Sequence, residues 1–369
     1  MLSHRDAIEE MLTSAGITIN GNNPWDIQIT DDRIFPQVLK SKNLGLGEAY
    51  MEGWWNCQQL DEFINRILKA GLDGKIKVGY KFLINSLSAV LFNMQSQKRS
   101  CMVAEQHYDL DNNLFMSFLD TYNQYSCAYF NDTEDLNDAQ LKKMELICKK
   151  IDLRPSDHVL DIGCGWGGFA KYMAEHHGCA VTAINISGEQ IRHARDLCKN
   201  LPVSILSCDY RDLQGSFDKI VSVGMFEHVG QKNYKSFMKA AHRCLKDNGV
   251  FLLHTIGSND STIKCDPWIN KYIFPNGMLP SITQISKAIE GLFVMEDLHN
   301  LGPHYEKTLL AWHKNFQKAW NKLKGKYDEK FKRMWDYYLL SCAGSFRARN
   351  IQLWQIVLTR YGTSQPSCR

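Results

Sequence analysis

The chain has 369 residues, 44% of them hydrophobic and 22% charged, enough for one large domain plus an extension with a packed core. Lys and Arg total 43 against 40 Asp and Glu, a formal net charge of +3, which gives no support for nucleic acid as a partner. The 12 cysteines never fall in a C-x-x-C spacing, which excludes a zinc ribbon or dithiol motif, and no apolar run is long enough to cross a bilayer.

The opening Met1-Leu2-Ser3-His4-Arg5-Asp6 leads into a charged segment without a signal-peptide apolar region, so a reducing cytoplasm with free thiols is expected. Ser3 can cap a helix that turns Ala7, Met11 and Leu12 inward and stops at Gly16. Ile27 and Ile29 alternate with polar residues, a short strand signal. Leu60, Phe63, Ile64, Ile67 and Leu68 fall at helical spacing and predict an amphipathic helix ended by Gly71. Residues 74–104 contain no acid. There Lys75, Lys77, Lys81, Lys98 and Arg99 surround Phe82, Leu83, Leu87, Val90, Leu91 and Phe92, a composition suited to an anionic lipid surface. The same residues also read as a linker helix packed on the next domain.

From residue 158 to 256, short apolar runs alternate with helical stretches. The expected strands are 158–162, 180–185, 204–207, 219–223 and 250–254. That pattern predicts a parallel, doubly wound α/β sheet of Rossmann-like type. Residues 257–369 are aromatic-rich and basic, with Lys314, Lys318, Lys322, Lys324, Lys326, Lys330, Lys332 and Arg333 as a second positive face.

The strongest local signal is Val159-Leu160-Asp161-Ile162-Gly163-Cys164-Gly165-Trp166-Gly167-Gly168. An apolar strand runs into a glycine turn, and a helix starts at about Phe169. The glycines also satisfy G-x-G-x-x-G, a weak fingerprint when it stands alone. Asp161 makes it sharper. A carboxylate at the strand end suits the ammonium of S-adenosylmethionine and repels a pyrophosphate. The end of the second strand, Asn185, lacks the acid that usually holds ribose hydroxyls, so Asn185 or Gln190 is expected on the ribose side. Asp209 and Tyr210 after the third strand suit an adenine, the acid as acceptor and the ring as packing surface. A polar loop is the simpler account of that pair taken alone.

With these segments the chain resembles the cyclopropane-fatty-acyl-phospholipid synthases, and over the core the mycolic acid cyclopropane synthases. The resemblance covers nearly the whole length. It is carried by Gly45-Leu46-Gly47-Glu48, Gly53-Trp54-Trp55, His107-Tyr108-Asp109-Leu110, Tyr125-Ser126-Cys127-Ala128-Tyr129, the glycine loop, and the run from Val223 through Gly224-Met225-Phe226-Glu227-His228 to Gly230. His254-Thr255-Ile256-Gly257-Ser258 and the run from Trp268 to Gly277 complete it.

The resemblance implies a class I methyltransferase sheet with a small, mainly helical N-terminal domain. Residues 1–100 are expected to serve lipid docking and dimerisation, and residues 101–369 catalysis. It implies transfer of a methylene from S-adenosylmethionine to a cis double bond of an unsaturated acyl chain in a membrane phospholipid. It also implies a bicarbonate ion held by Cys127, Glu227, His254, Tyr305 and the backbone of Ile256, with His228 behind them. Without the resemblance, Cys127 is a small buried hydrophobe and His254 a structural histidine. Tyr125 and Ser126 are implied at the methionyl carboxylate, with Asp161, Gly163 and Gly165 as the cofactor's floor. A homodimer, peripheral at the cytoplasmic face of the membrane, is expected. Methyl branching without ring closure, and methylation of a small molecule, are the alternatives. A non-catalytic scaffold or a nicotinamide dehydrogenase fits the intact loop and Asp161 poorly.

Overall fold

The structure is a computed structural model and describes residues 3–72, 112–262 and 265–368. The basic stretch 74–104 and the His107–Leu110 motif lie outside the described residues. Two compact units divide the chain.

The first unit is mainly helical. It takes residues up to 72 and adds 265–275 and 305–351. Helix α1 (His4–Ser14) starts as expected, with Ser3 and Asp6 in a reciprocal capping box. Ile8 and Leu12 are its buried residues. The pair β1 (Gln28–Ile29) and β2 (Trp55–Asn56) is antiparallel and flanks α2 (Ile34–Met51), which is broken at Lys42. Helix α3 (Leu60–Lys69) buries Leu60, Phe63 and Ile64, three of the five residues whose spacing predicts it, while Ile67 and Leu68 are half-buried.

Helix α12 (Glu329–Arg347) packs on α2 and α3. Arg347 clamps that contact by meeting Asp61, Glu62 and Glu306. Short α9 (Pro267–Tyr272) packs on α2, where Glu48 accepts from Lys271 at 2.6 Å and from the Tyr272 hydroxyl at 3.0 Å. The Gly45–Glu48 run and the Trp268–Tyr272 run, far apart in the chain, are thus two sides of one contact.

The second unit is an α/β sheet. After α4 (Asn112–Met116) and α5 (Leu136–Lys150) come β3 (His158–Ile162), α6 (Gly168–His177), β4 (Ala180–Asn185), α7 (Gly188–Leu197), β5 (Val203–Ser207) and β6 (Phe217–Val223). They are followed by α8 (Tyr234–Cys244), β7 (Leu245–Ser258), α10 (Ile282–Ile289), β8 (Val294–Asn300) and β9 (Ile351–Thr359). Helix α11 (Gly302–Leu323) begins in this unit and continues in the first.

The seven strands run in the order β5-β4-β3-β6-β7-β9-β8. The first five are parallel, and β8 pairs antiparallel with β9. Strands β3 and β4 have the expected limits, and β5, β6 and β7 contain the expected segments. The period of two sorts β3 between two cores. Leu160 and Ile162 join Phe226, Phe237 and Phe251 on one face. Val159 joins Met144, Ile147 and Phe169 on the other. Asp161 shares the Val159 face and is buried there.

Candidate active site

The parallel strands deliver their functional side chains at their carboxyl ends, where open α/β sheets bind ligands. Asp161 is the last residue but one of β3, Asn185 ends β4, Asp209 follows β5, Glu227 follows β6, and His254 and Ile256 lie near the end of β7.

The glycine loop is anchored to β4 by the N–H groups of Gly163 and Cys164, which donate to the Ile184 carbonyl at 3.0 and 3.1 Å. Gly165 has φ +55°, and no atom lies within 4 Å of where its Cβ would stand, so the backbone is open to a ligand. At Gly168 the opposite holds. A Cβ there would lie 1.7 Å from the Tyr122 carbonyl oxygen, so the segment leading to Tyr125 and Ser126 lies directly against the start of α6.

Asp161 is 2% exposed and its Oδ2 has no hydrogen-bond partner. Burial pushes its carboxyl up to about 7, and nearby Lys143 moderates the shift. A buried carboxyl oxygen without a donor, beside an open glycine cradle, fits the cationic amino-acid end of S-adenosylmethionine.

Asn185 is a strut of this site. Its Oδ1 accepts the N–H groups of Ile186 and Ser187 at 2.7 and 3.2 Å, and its Nδ2 donates to Gly165 O and Gln190 Oε1 at 3.1 and 2.9 Å. Gln190 is buried at the start of α7. Asp209 is gripped by Arg211, Nε to Oδ1 at 2.7 Å and Nη2 to Oδ2 at 2.9 Å. Tyr210 is in the core, its ring edge-on to Phe237 at 5.1 Å.

Tyr125 lies edge-on to Phe115 at 5.1 Å. Sequence reasoning missed what holds its segment. Lys143 of α5 is fully buried and donates to Gln124 Oε1 at 2.7 Å and to Ser126 Oγ at 3.0 Å. Gln140 donates to the Ser126 carbonyl at 2.9 Å. Burial lowers the Lys143 ammonium to about 8, opposed chiefly by Asp120. The signal was in the periodicity, because Gln140 and Lys143 share the stripe of Ala139, Met144 and Ile147.

A second group surrounds Glu227, in the short 3-10 turn Phe226–His228. Its Oε1 accepts the Ile256 N–H at 2.6 Å, while Oε2 is buried without a partner. Burial pushes this carboxyl up to about 7. His254 is 1% exposed, with Nδ1 at 3.3 Å from Gln355 Nε2 and with Nε2 buried and unpartnered. Burial holds it neutral, well below the usual imidazole range, and the charges of Lys143 and Lys150 add to the effect. His228 is lowered to about 4 for the same first reason.

Cys127 is buried, its Sγ 3.2 Å from the Ala128 carbonyl and 3.9 Å from that of Leu301. Tyr305 stands in the first unit, on α11, its ring 4.7 Å from Phe346 and 6.0 Å from Trp312. Within the sheet unit, Glu227 is tied to the Ile256 backbone of β7, two residues beyond His254 on the same strand, and Glu227 and His254 each leave one buried polar atom without a partner. Those two atoms fit a small oxyanion, one as a donor and the other as a donor when protonated.

Residues 95–356 match the family described as mycolic acid cyclopropane synthetase. The chain is 52% identical over 351 residues to the cyclopropane-fatty-acyl-phospholipid synthase of Escherichia coli K12, covering 95% of this chain and 92% of that one. Among solved structures it resembles the cyclopropane synthase MmaA2 from Mycobacterium tuberculosis, with TM-score 0.66 and 29% identity over 70% of this chain and 98% of that one. A mycolic acid cyclopropane synthase complexed with SAH and CTAB matches with TM-score 0.66 and 32% identity, again over 70% of this chain and 98% of that one.

Proposed function

This chain belongs to the mycolic acid cyclopropane synthetase family, and we propose that it converts cis double bonds in the acyl chains of membrane phospholipids into cyclopropane rings. The observation that carries the reading is the pairing of the open cradle at Gly165 with two buried, unpartnered polar atoms, Glu227 Oε2 and His254 Nε2. S-Adenosylmethionine supplies the one-carbon unit and leaves as S-adenosylhomocysteine. Bicarbonate supplies the base that takes a proton from the transferred carbon so that the ring closes.

The protein's own groups then have separable tasks. Asp161 faces the cofactor's ammonium, and Tyr125 and Ser126 face its carboxylate. Asn185 and Gln190 stand on the ribose side, and Asp209 and Tyr210 on the adenine side. An alkene is a weak nucleophile, so orientation does most of the work. Cys127, Glu227, His254 and the backbone of Ile256 are the bicarbonate ligands of the sheet unit, and Tyr305 is assigned the same task by the family resemblance alone.

Two anions cannot share so dry a place. A carboxyl raised by burial to about 7 answers this, because the acid form of Glu227, present in about half the molecules at neutral pH, donates a hydrogen bond to the bound oxyanion. His254, neutral, donates as well and does not compete as a cation.

Peripheral docking at the cytoplasmic face of the membrane, and a homodimer with residues 1–100 serving both, belong to the same proposal. No helix among the described residues is long and apolar enough to cross a membrane. Lys314, Lys318 and Lys322 stand exposed at one-turn intervals on α11, a spacing that lines up one positive face.

The test incubates the protein with S-adenosylmethionine, bicarbonate and vesicles of a cis-monounsaturated phospholipid. Loss of olefinic proton signals with new, strongly shielded ring protons supports the reading. Cofactor binding with untouched acyl chains would defeat the lipid assignment.

A further inference from the structure

Strand β9 is buried along nearly its whole length, and in its middle sits an amide. Gln355 is 0% exposed. Burying a primary amide is costly unless its donors and acceptor are used. Yet Gln355 Oε1 has no partner, and the side chain's hydrogen bond goes from Nε2 to His254 Nδ1, at 3.3 Å. Strand β9 lies next to β7 in the sheet, so the amide reaches the imidazole from beside it, on a rigid element. A neutral imidazole has one N–H and one lone pair. If Nδ1 accepts from Gln355, the proton is on Nε2, and Nε2 is the buried atom without a partner.

We propose that Gln355 is a positioning residue, whose amide fixes His254 in the Nε2–H tautomer and so makes the imidazole a hydrogen-bond donor to the anion site. The inference rests on the bicarbonate reading of that site. It gives a reason for a buried amide in an apolar strand. A donor at Nε2 binds an oxyanion and leaves the transferred carbon's proton to that anion. With the amide turned over, Oε1 would accept from Nδ1–H, and Nε2 would offer a lone pair. That lone pair would repel an oxyanion and compete for the proton. The burial that keeps His254 neutral preserves the choice between tautomers, since a doubly protonated ring has none.

The tautomer is directly observable in the full chain labelled with 15N-histidine, by long-range proton–nitrogen correlation. The His254 signals are identified by their loss in His254→Gln. The expected result is a protonated Nε2 and a bare Nδ1 in the unsubstituted protein. Gln355→Glu keeps the shape and, at a pH high enough to ionise it in so buried a place, only accepts, so it should then move the proton to Nδ1. Gln355→Leu should abolish the preference. Both variants should raise the bicarbonate concentration for half-maximal turnover by about tenfold or more, with S-adenosylmethionine affinity by calorimetry unchanged. A proton on Nδ1 in the unsubstituted protein would overturn the proposal, as would a Gln355→Glu variant whose tautomer stays unmoved at a pH where its carboxyl is ionised. If the tautomer is Nε2–H but turnover of the unsubstituted protein ignores bicarbonate, the anion reading fails while the hold of Gln355 on His254 stands.

Discussion

At neutral pH the Glu227 carboxyl, pushed up to about 7, is divided between its acid and its anion. The shift has a consequence for stability. Between pH 4.5 and about 7 the folded protein keeps a proton on Glu227 that the unfolded chain has released. The stability this provides is complete below the unfolded pKa and is lost as pH rises through the folded one. Asp161, also raised to about 7, acts in the same direction. His228, lowered to about 4, acts in the other, since the unfolded chain binds its proton first. The total slope therefore mixes signs, and the difference between the protein and a single variant isolates one group. Urea denaturation without ligands should show Glu227→Gln gaining on the unsubstituted protein by ~3 kcal/mol between pH 5 and pH 8. A constant difference across that range would mean that Glu227 titrates as an ordinary carboxyl.

The glycine loop and the segment 120–127 act as one element. Gly168→Ala should be the more damaging change, because its Cβ meets the Tyr122 carbonyl and one of two backbones must move. A loss of about 1–3 kcal/mol is expected, with weakened cofactor binding. Gly165→Ala has free space and pays only the left-handed backbone cost of about 1–2 kcal/mol. It should stay folded and still lose cofactor affinity by tenfold or more. Thermal unfolding beside calorimetric titration separates the two, and a Gly165→Ala variant that binds normally would remove the loop from the cofactor site.

What the sequence made legible at this scale follows burial. Strand β3 and its glycine turn could be read because an apolar run meets an abrupt change of composition. Strand β9 could not, since it is buried on both faces. It shows no alternation, and Gln352 and Gln355 interrupt its apolar residues. Strand β8 is half-buried and carries Glu296, Asp297 and His299, so it resembles a polar loop. Lys143 was hidden beside Lys142 in what looks like a solvated pair, although only Lys142 meets solvent.

Across the whole molecule, the helical unit draws on stretches that are distant in sequence. Periodicity in 305–347 gives a buried face to each helix but does not say which helix covers it, so Arg347 and its three acids had no signature. The exposed lysines of α11 belong to this unit. Replacing Lys314, Lys318 and Lys322 together by Glu should weaken sedimentation with anionic vesicles several-fold at low salt, leave S-adenosylmethionine binding unchanged, and matter less as salt screens the surface. Equal binding of both proteins to anionic and neutral vesicles would remove this face from the docking proposal.

Ring closure itself is tested most directly with S-adenosylmethionine carrying a fully deuterated methyl group, using an unsaturated phospholipid vesicle as acceptor. Loss of one deuteron from the transferred carbon, with two retained in a shielded ring methylene, is the predicted outcome. All three deuterons retained in a methyl branch would contradict it and make the protein a lipid methyltransferase that does not close the ring.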